Sequence, residues 1–227
     1  MVMLFAAALC FTALHLLVSG TTLRQALVAR LGERAYTVLF SLASVAALGW
    51  LIVAYGRLRV PQPTPFTAAR GLADTMVLIA FVFVVLGLLA RSPTAVGGER
   101  LLRAPDDAAP ARGIHRITRH PFLWGVALWA AVHVLLNPGA IHLLFFGTFL
   151  VVALFGTVSI DRKRALRLGE AWQRYAALTS NVPFAAIVRG RNRLVMGELG
   201  LWKLAVAAAA CAAIAALHAR FFGMPVL

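Results

Sequence analysis

Six stretches of this chain are apolar over about the length that a helix needs to cross a bilayer: residues 1–18, 35–55, 72–90, 121–136, 140–160 and 202–222. A hydrocarbon core about 30 Å thick takes roughly 20 helical residues. Lipid offers no partner to backbone N–H or C=O groups, so apolar runs of this kind must be helical. The expected fold is an all-α, polytopic transmembrane bundle of about six spans, forming one integral membrane domain over residues 1–227. The hydrophobic share of 61% and mean hydropathy of +0.84 agree, and no extended soluble domain remains.

The net charge of +14 is arranged by loop. With alternating spans, one side receives the arginines of the first interhelical loop, those of 91–119 and the basic run after Asp161; the other keeps Arg57, Arg59, Arg70 and Arg220. The positive-inside rule then puts the richer side in the cytoplasm and both termini outside. No single basic face suits nucleic acid, so the bilayer is the expected partner. The first span has no Lys or Arg before Arg24, and it is read as an anchor rather than a cleaved signal. Cys10 and Cys211 are both in apolar spans without paired spacing, which argues against a disulfide framework or a zinc site.

Between the spans, residues 60–67 carry Pro61, Pro63 and Pro65 and predict a stiff extended loop. Small residues of span two, Ser41, Ser44, Ala46, Ala47 and Gly49, would let a neighbouring helix come close. Asp74 near the outer end of span three reads as interfacial, with a role in the site as the other reading, and 91–119 reads as a loop. Pro121 suits the first turn of span four. Asn137-Pro138-Gly139 predicts a tight turn that pairs spans four and five as an antiparallel hairpin. Residues 161–190 mix Leu166, Trp172, Tyr175 and Leu178 with arginines, the pattern of an amphipathic helix lying on headgroups until Pro183 stops it.

His15 and His133 sit inside spans, where an ionisable side chain is costly and normally faces the protein interior. Two imidazoles from different helices can hold a haem between them; interior histidines bonded to backbone or hydroxyl groups are the other reading. At 1.5 Å per residue they differ in depth by roughly 8 Å, which tilt can absorb, and His120 is the substitute ligand. His115, Arg116, Arg119 and His120 form a basic cluster before span four, suited to propionates, phosphate or a lipid headgroup, or a plain positive flank. His142 and His218 near span ends read as interfacial. No Gly-rich phosphate loop, Ser-His-Asp set or paired carboxylates can be identified.

The segments LHLLVSG, LGERAYTVLFSLAS, GIHRITRHPFLWGVALWAAVH, SIDRKRALRLGEAW and NVPFAAI, in this order, resemble the NnrU family, bacterial membrane proteins related to zeta-carotene cis-trans isomerase. The resemblance implies a haem-b protein of the bacterial inner membrane, with His15 and His133 as iron ligands and catalytic residues. His120 of the Arg-His-Pro motif is implied to assist, and Arg119, His120 and His115 to contact the cofactor. It implies redox-dependent isomerisation of a lipophilic polyene. The plant enzymes have a cysteine three residues before the last histidine, where this chain has Ala130, so no ligand switch through that thiol is expected. The family name also carries an association with denitrification, implying a sensing or supporting role beside respiratory or nitric oxide-metabolising membrane proteins. A more distant resemblance links Arg119-His120-Pro121, Gly169 to Tyr175 and Pro183 to isoprenylcysteine-type membrane methyltransferases, which use S-adenosylmethionine.

Overall fold

The computed structural model describes residues 1–58, 67–102 and 111–222, with side chains from Gly71 in the second stretch and up to Arg220 in the third. Most of the loop expected over 60–67 and part of that over 91–119 lie outside the described residues. The described chain is helical, without strands among those residues: α1 (Val2–Ala13), a π-helical turn (Leu14–Val18), α2 (Leu23–Leu31), α3 (Glu33–Gly56), α4 (Thr67–Leu89), α5 (Ile114–Ile117), α6 (Pro121–Leu136), α7 (Ala140–Leu168), α8 (Glu170–Leu178), α9 (Ala185–Val188) and α10 (Leu201–Phe222). Short 3₁₀ turns occupy Gly98–Leu102 and Met196–Glu198.

The all-α membrane architecture stands, but the count of about six spans is too high. Among the described residues four helices are long and apolar enough to cross: Glu33–Gly56, Gly71–Leu89, Ala140–Leu168 and Leu201–Arg220. The first segment becomes a fifth only as a broken span, because Val2–Val18 and Leu23–Leu31 meet at a bend of 79°. Span four begins and ends where expected, yet its 16 residues reach only about 24 Å, short of the hydrocarbon thickness. Span five overshoots: α7 runs to Leu168, since Arg, Lys, Ala and Leu after Asp161 are all good helix formers. Gly169, at φ 52°, then breaks the chain into α8.

These residues gather into two compact units, Met1–Thr67 with Ala130–Gly156, and Ala68–Trp129 with Thr157–Leu227. In the first, α1 packs on α3 and buries a stripe of Leu4, Ala7, Ala8 and Phe11, spaced for one helix face. From α3 it is Tyr36, Ala47, Leu51 and Ala54 that are buried, whereas Ser41, Ala46 and Gly49 are exposed. In the second, α4 and α6 approach backbone to backbone at Gly87 and Gly125. Its remaining core includes Phe83, Leu86, Ile114, Ile117 and Leu199.

The amphipathic expectation for 161–190 is corrected in α8. Trp172 and Tyr175 are buried in protein against Leu102 and Ala111, not laid on headgroups. An amphipathic pattern states that one face is covered and not by what. Asp74 is exposed on α4, in keeping with an interfacial residue.

Candidate functional site

His15 lies in the first unit on the one π-helical turn among the described residues, a geometry frequently found at functional sites. Its Nδ1 is 2.8 Å from the carbonyl of Phe11. A carbonyl only accepts, so Nδ1 carries the proton and Nε2 presents its lone pair, the tautomer that a metal-ligating imidazole needs. The ring packs at 4.3 Å from Phe11 and 5.6 Å from Phe40.

His133 belongs to the same unit, and its ring lies 4.7 Å from Phe146. Phe146 continues to Phe145 at 5.0 Å, Phe145 to Phe149 at 5.3 Å, and Phe149 to Phe11 at 5.6 Å. An unbroken series of ring contacts therefore runs from His133 to His15 along one apolar wall. His142 joins it, buried, with its Nδ1 2.7 Å from the hydroxyl of Tyr55 and its ring stacked near Phe146. His142, in the first turn of α7, thus has Tyr55 as the partner that water would supply at an exposed interface. Among the described residues no three His, Cys, Asp or Glu side chains cluster as a metal site.

The Arg-His-Pro motif belongs to the second unit and is organised around Asp161. Arg119 meets its carboxylate through Nε at 3.1 and 3.2 Å and Nη2 at 2.9 Å. His120 Nε2–H donates to Oδ1 at 2.6 Å, and Asn181 donates to Oδ2 at 3.1 Å. The carboxylate can only accept, so its surroundings of donors define His120 as protonated at Nε2. Arg119 also lies over the Trp172 ring at 5.6 Å. Backbone bonds bind residues 117–120 to 180–184: Arg119 N–H donates to Ser180 O, and Phe184 N–H donates to Ile117 O. Thr118 Oγ1 donates to Asn181 O. Phe184 itself adopts φ 65°, a left-handed conformation that a bulky residue rarely takes.

The expected site residues therefore fall into two groups, His15 with His133 and Arg119 with His120. His115 joins neither: it is buried at 2% exposure, and burial chiefly, helped by the charges of His120 and Lys203, lowers its pKa to about 4. The positive-flank reading fails for Arg116 too. Its guanidinium is bidentate to Glu198 at 2.7 and 2.8 Å, with Asn192 at 2.6 Å. Asp161, Asn181, Glu198 and Tyr55 were not singled out from sequence as partners. The available signal was a lone carboxylate, Asp161, at the junction of an apolar run and a basic one.

The side-chain hydrogen bonds from Arg116 hold the Glu198 carboxyl at about 2, against an ordinary 4.5. A depressed carboxyl contributes stability that is complete above 4.5 and is lost as pH falls towards 2. Glu198→Gln should cost about 1 kcal/mol at neutral pH, given the partial exposure of the pair. The difference from the parent, read by thermal unfolding in detergent, should shrink through that acidic range, and parallel curves would refute it.

Two curated relatives are similar in sequence, both named 15-cis-zeta-carotene isomerase, chloroplastic. That of Zea mays is 30% identical over 164 residues, 72% of this chain and 44% of the relative. That of Arabidopsis thaliana is 38% identical over 82 residues, 36% of this chain and 22% of the relative. The chain thus spans less than half the length of each. No solved structure matches it. The sequence profile described as "NnrU protein" matches residues 3–226, and with nearly the whole chain so covered the protein belongs to the NnrU family.

Proposed function

We propose that this NnrU-family protein binds haem b through His15 and His133 and catalyses cis-trans isomerisation of a carotenoid-like polyene within the membrane. The observation that carries the reading is His15: a π-helical turn, a Phe11 carbonyl fixing the proton on Nδ1, and Nε2 left with its lone pair. Imidazole nitrogen is a suitable donor for haem iron. The phenylalanines between His15 and His133 supply the apolar, aromatic walls that a porphyrin face prefers. The similarity to two 15-cis-zeta-carotene isomerases supports the reaction class.

Bound haem would supply iron able to change its oxidation state and its ligation. The chain's own contribution is positional. Phe11 fixes the ring of His15, Phe146 packs on that of His133, and apolar helices exclude water while admitting a lipophilic substrate from the bilayer. Asp161 holds Arg119 and His120 in place, so the Arg-His-Pro motif acts in positioning the start of α6. The apolar helices with arginine-rich loops beside them support a membrane location, in this reading the bacterial inner membrane.

The test is an optical spectrum of the full chain purified after haem-replete expression. A Soret band is expected in the parent and should be lost or shifted in His15→Ala and in His133→Ala, with helical circular dichroism retained. No band in the parent, or a band indifferent to both substitutions, overturns the proposal. Conversion of a 15-cis polyene by the loaded protein then tests the reaction.

A further inference from the structure

A second place in the molecule has the composition of a ligand site and no part in the reading above. Within the second unit a cavity of about 280 Å³ is lined by Arg91, Arg112, Lys203 and His115, with apolar walls that include Leu86 and Leu199. It lies at the basic end of the second unit, beside the last turn of α4 and the first turn of α10, where apolar helix meets charged loop. His115 is 2% exposed, and its Nε2 is buried without any hydrogen-bond partner. A buried nitrogen left unpaired costs free energy unless a ligand completes it.

We propose that this cavity binds a phosphate-bearing anion, the headgroup phosphate of an anionic phospholipid or a free phosphate. The charges favour it. Glu198, the one acid in the lining, is already satisfied by Arg116 and by Gly113 N–H at 2.7 Å. Arg91, Arg112 and Lys203 form no close ion pair with a carboxylate among the described residues. Arg112 acts on Glu198 only at longer range and Lys203 stands over the Trp202 ring at 5.7 Å, so their hydrogen-bond donors remain for an anion. Arginine forks match phosphate oxygens. Burial keeps the His115 ring neutral, and a neutral imidazole with its proton on Nε2 donates to an oxygen without needing a second proton. Leu86, Leu89 and Leu199 offer an apolar border, and basic pockets between membrane helices commonly hold lipid headgroups.

The experiment uses the full chain in detergent, by native mass spectrometry with dioleoyl phosphatidylglycerol or dioleoyl phosphatidylcholine, and with inorganic phosphate as competitor. Phosphatidylglycerol should be retained over phosphatidylcholine. Arg112→Gln and Lys203→Gln should each weaken retention about fivefold and their combination about 25-fold. Arg100→Gln, an exposed cation outside the cavity, should leave it unchanged. His115→Gln keeps a donor and should weaken binding less than His115→Ala. If inorganic phosphate displaces the lipid and itself binds with the same dependence on Arg112 and Lys203, the ligand is the free anion. If it does not displace the lipid, the ligand is the phospholipid. Equal retention of the two lipids, with no response of either lipid or phosphate to the double variant, overturns the site. The readout is independent of haem, so loss of a Soret band would leave this result standing.

Discussion

Asp161→Ala is expected to destabilise the second unit by about 3–5 kcal/mol, the cost of removing one member of a largely buried ion pair. The carboxylate receives three donors' worth of charge and hydrogen bonding: Arg119 at 12% exposure, His120 at 1%, and Asn181. Once it is gone, the guanidinium stays beside Trp172 with only Thr179 as a side-chain acceptor. The His120 Nε2 proton has nowhere to go. Asp161→Asn keeps the shape and loses the charge, so it should fall between the parent and Ala. Unfolding followed by tryptophan fluorescence in detergent checks this. The decisive control is Arg119→Met combined with Asp161→Leu, which removes both charges and should recover part of the loss. A double variant as unstable as the sum of the two singles would mean that the pair itself is not the cause.

Gly125→Val is expected to cost about 3 kcal/mol or more, and Gly125→Ala about 1–3 kcal/mol. A methyl placed on Gly125 would stand 2.7 Å from Ala80 O and 2.8 Å from Val84 N, both backbone atoms of α4. On the other side of the same contact, a methyl on Gly87 would meet Phe122 N at 2.6 Å. Backbone cannot rotate aside as a side chain does, so α4 and α6 would have to separate. Gly49 supplies the comparison: nothing lies within 4 Å of an added methyl, and Gly49→Ala should be neutral or stabilising by about 0.5 kcal/mol. Equal melting temperatures for Gly125→Ala and Gly49→Ala would refute the close approach.

What could be read from the sequence follows from how local each cause is. The bounds of α6 were legible because Pro121 and Asn137-Pro138-Gly139 act within a few residues of the ends they set. The end of α7 was not: the charged run after Ile160 looks like a departure from the membrane, yet its residues favour helix and carry the rod on to Gly169. His15 and His133 stood out because imidazole is out of place among leucines. Their aromatic surroundings, and the Tyr55 partner of His142, depend on residues many positions away. Asp161 lies 41 residues from His120, a pairing that no spacing rule announces. The bend after Val18 was missed because no proline marks it and Gly20 is its only breaker.

The π turn at Leu14–Val18 carries one residue more than an α turn would, seen in the bond from Ser19 N–H to Leu14 O at 3.0 Å. Each α-helical residue advances about 100° around the axis, so that surplus residue shifts the phase of everything after it. Leu4, Ala7, Ala8, Phe11 and His15 share one side of the rod, whereas the residues beyond Val18 are turned off that line. His15 lies just past α1, one turn beyond Phe11. Excising a single position from the bulge would restore an ordinary helix and swing the following segment round, so the register of the whole N-terminal arm hangs on one residue.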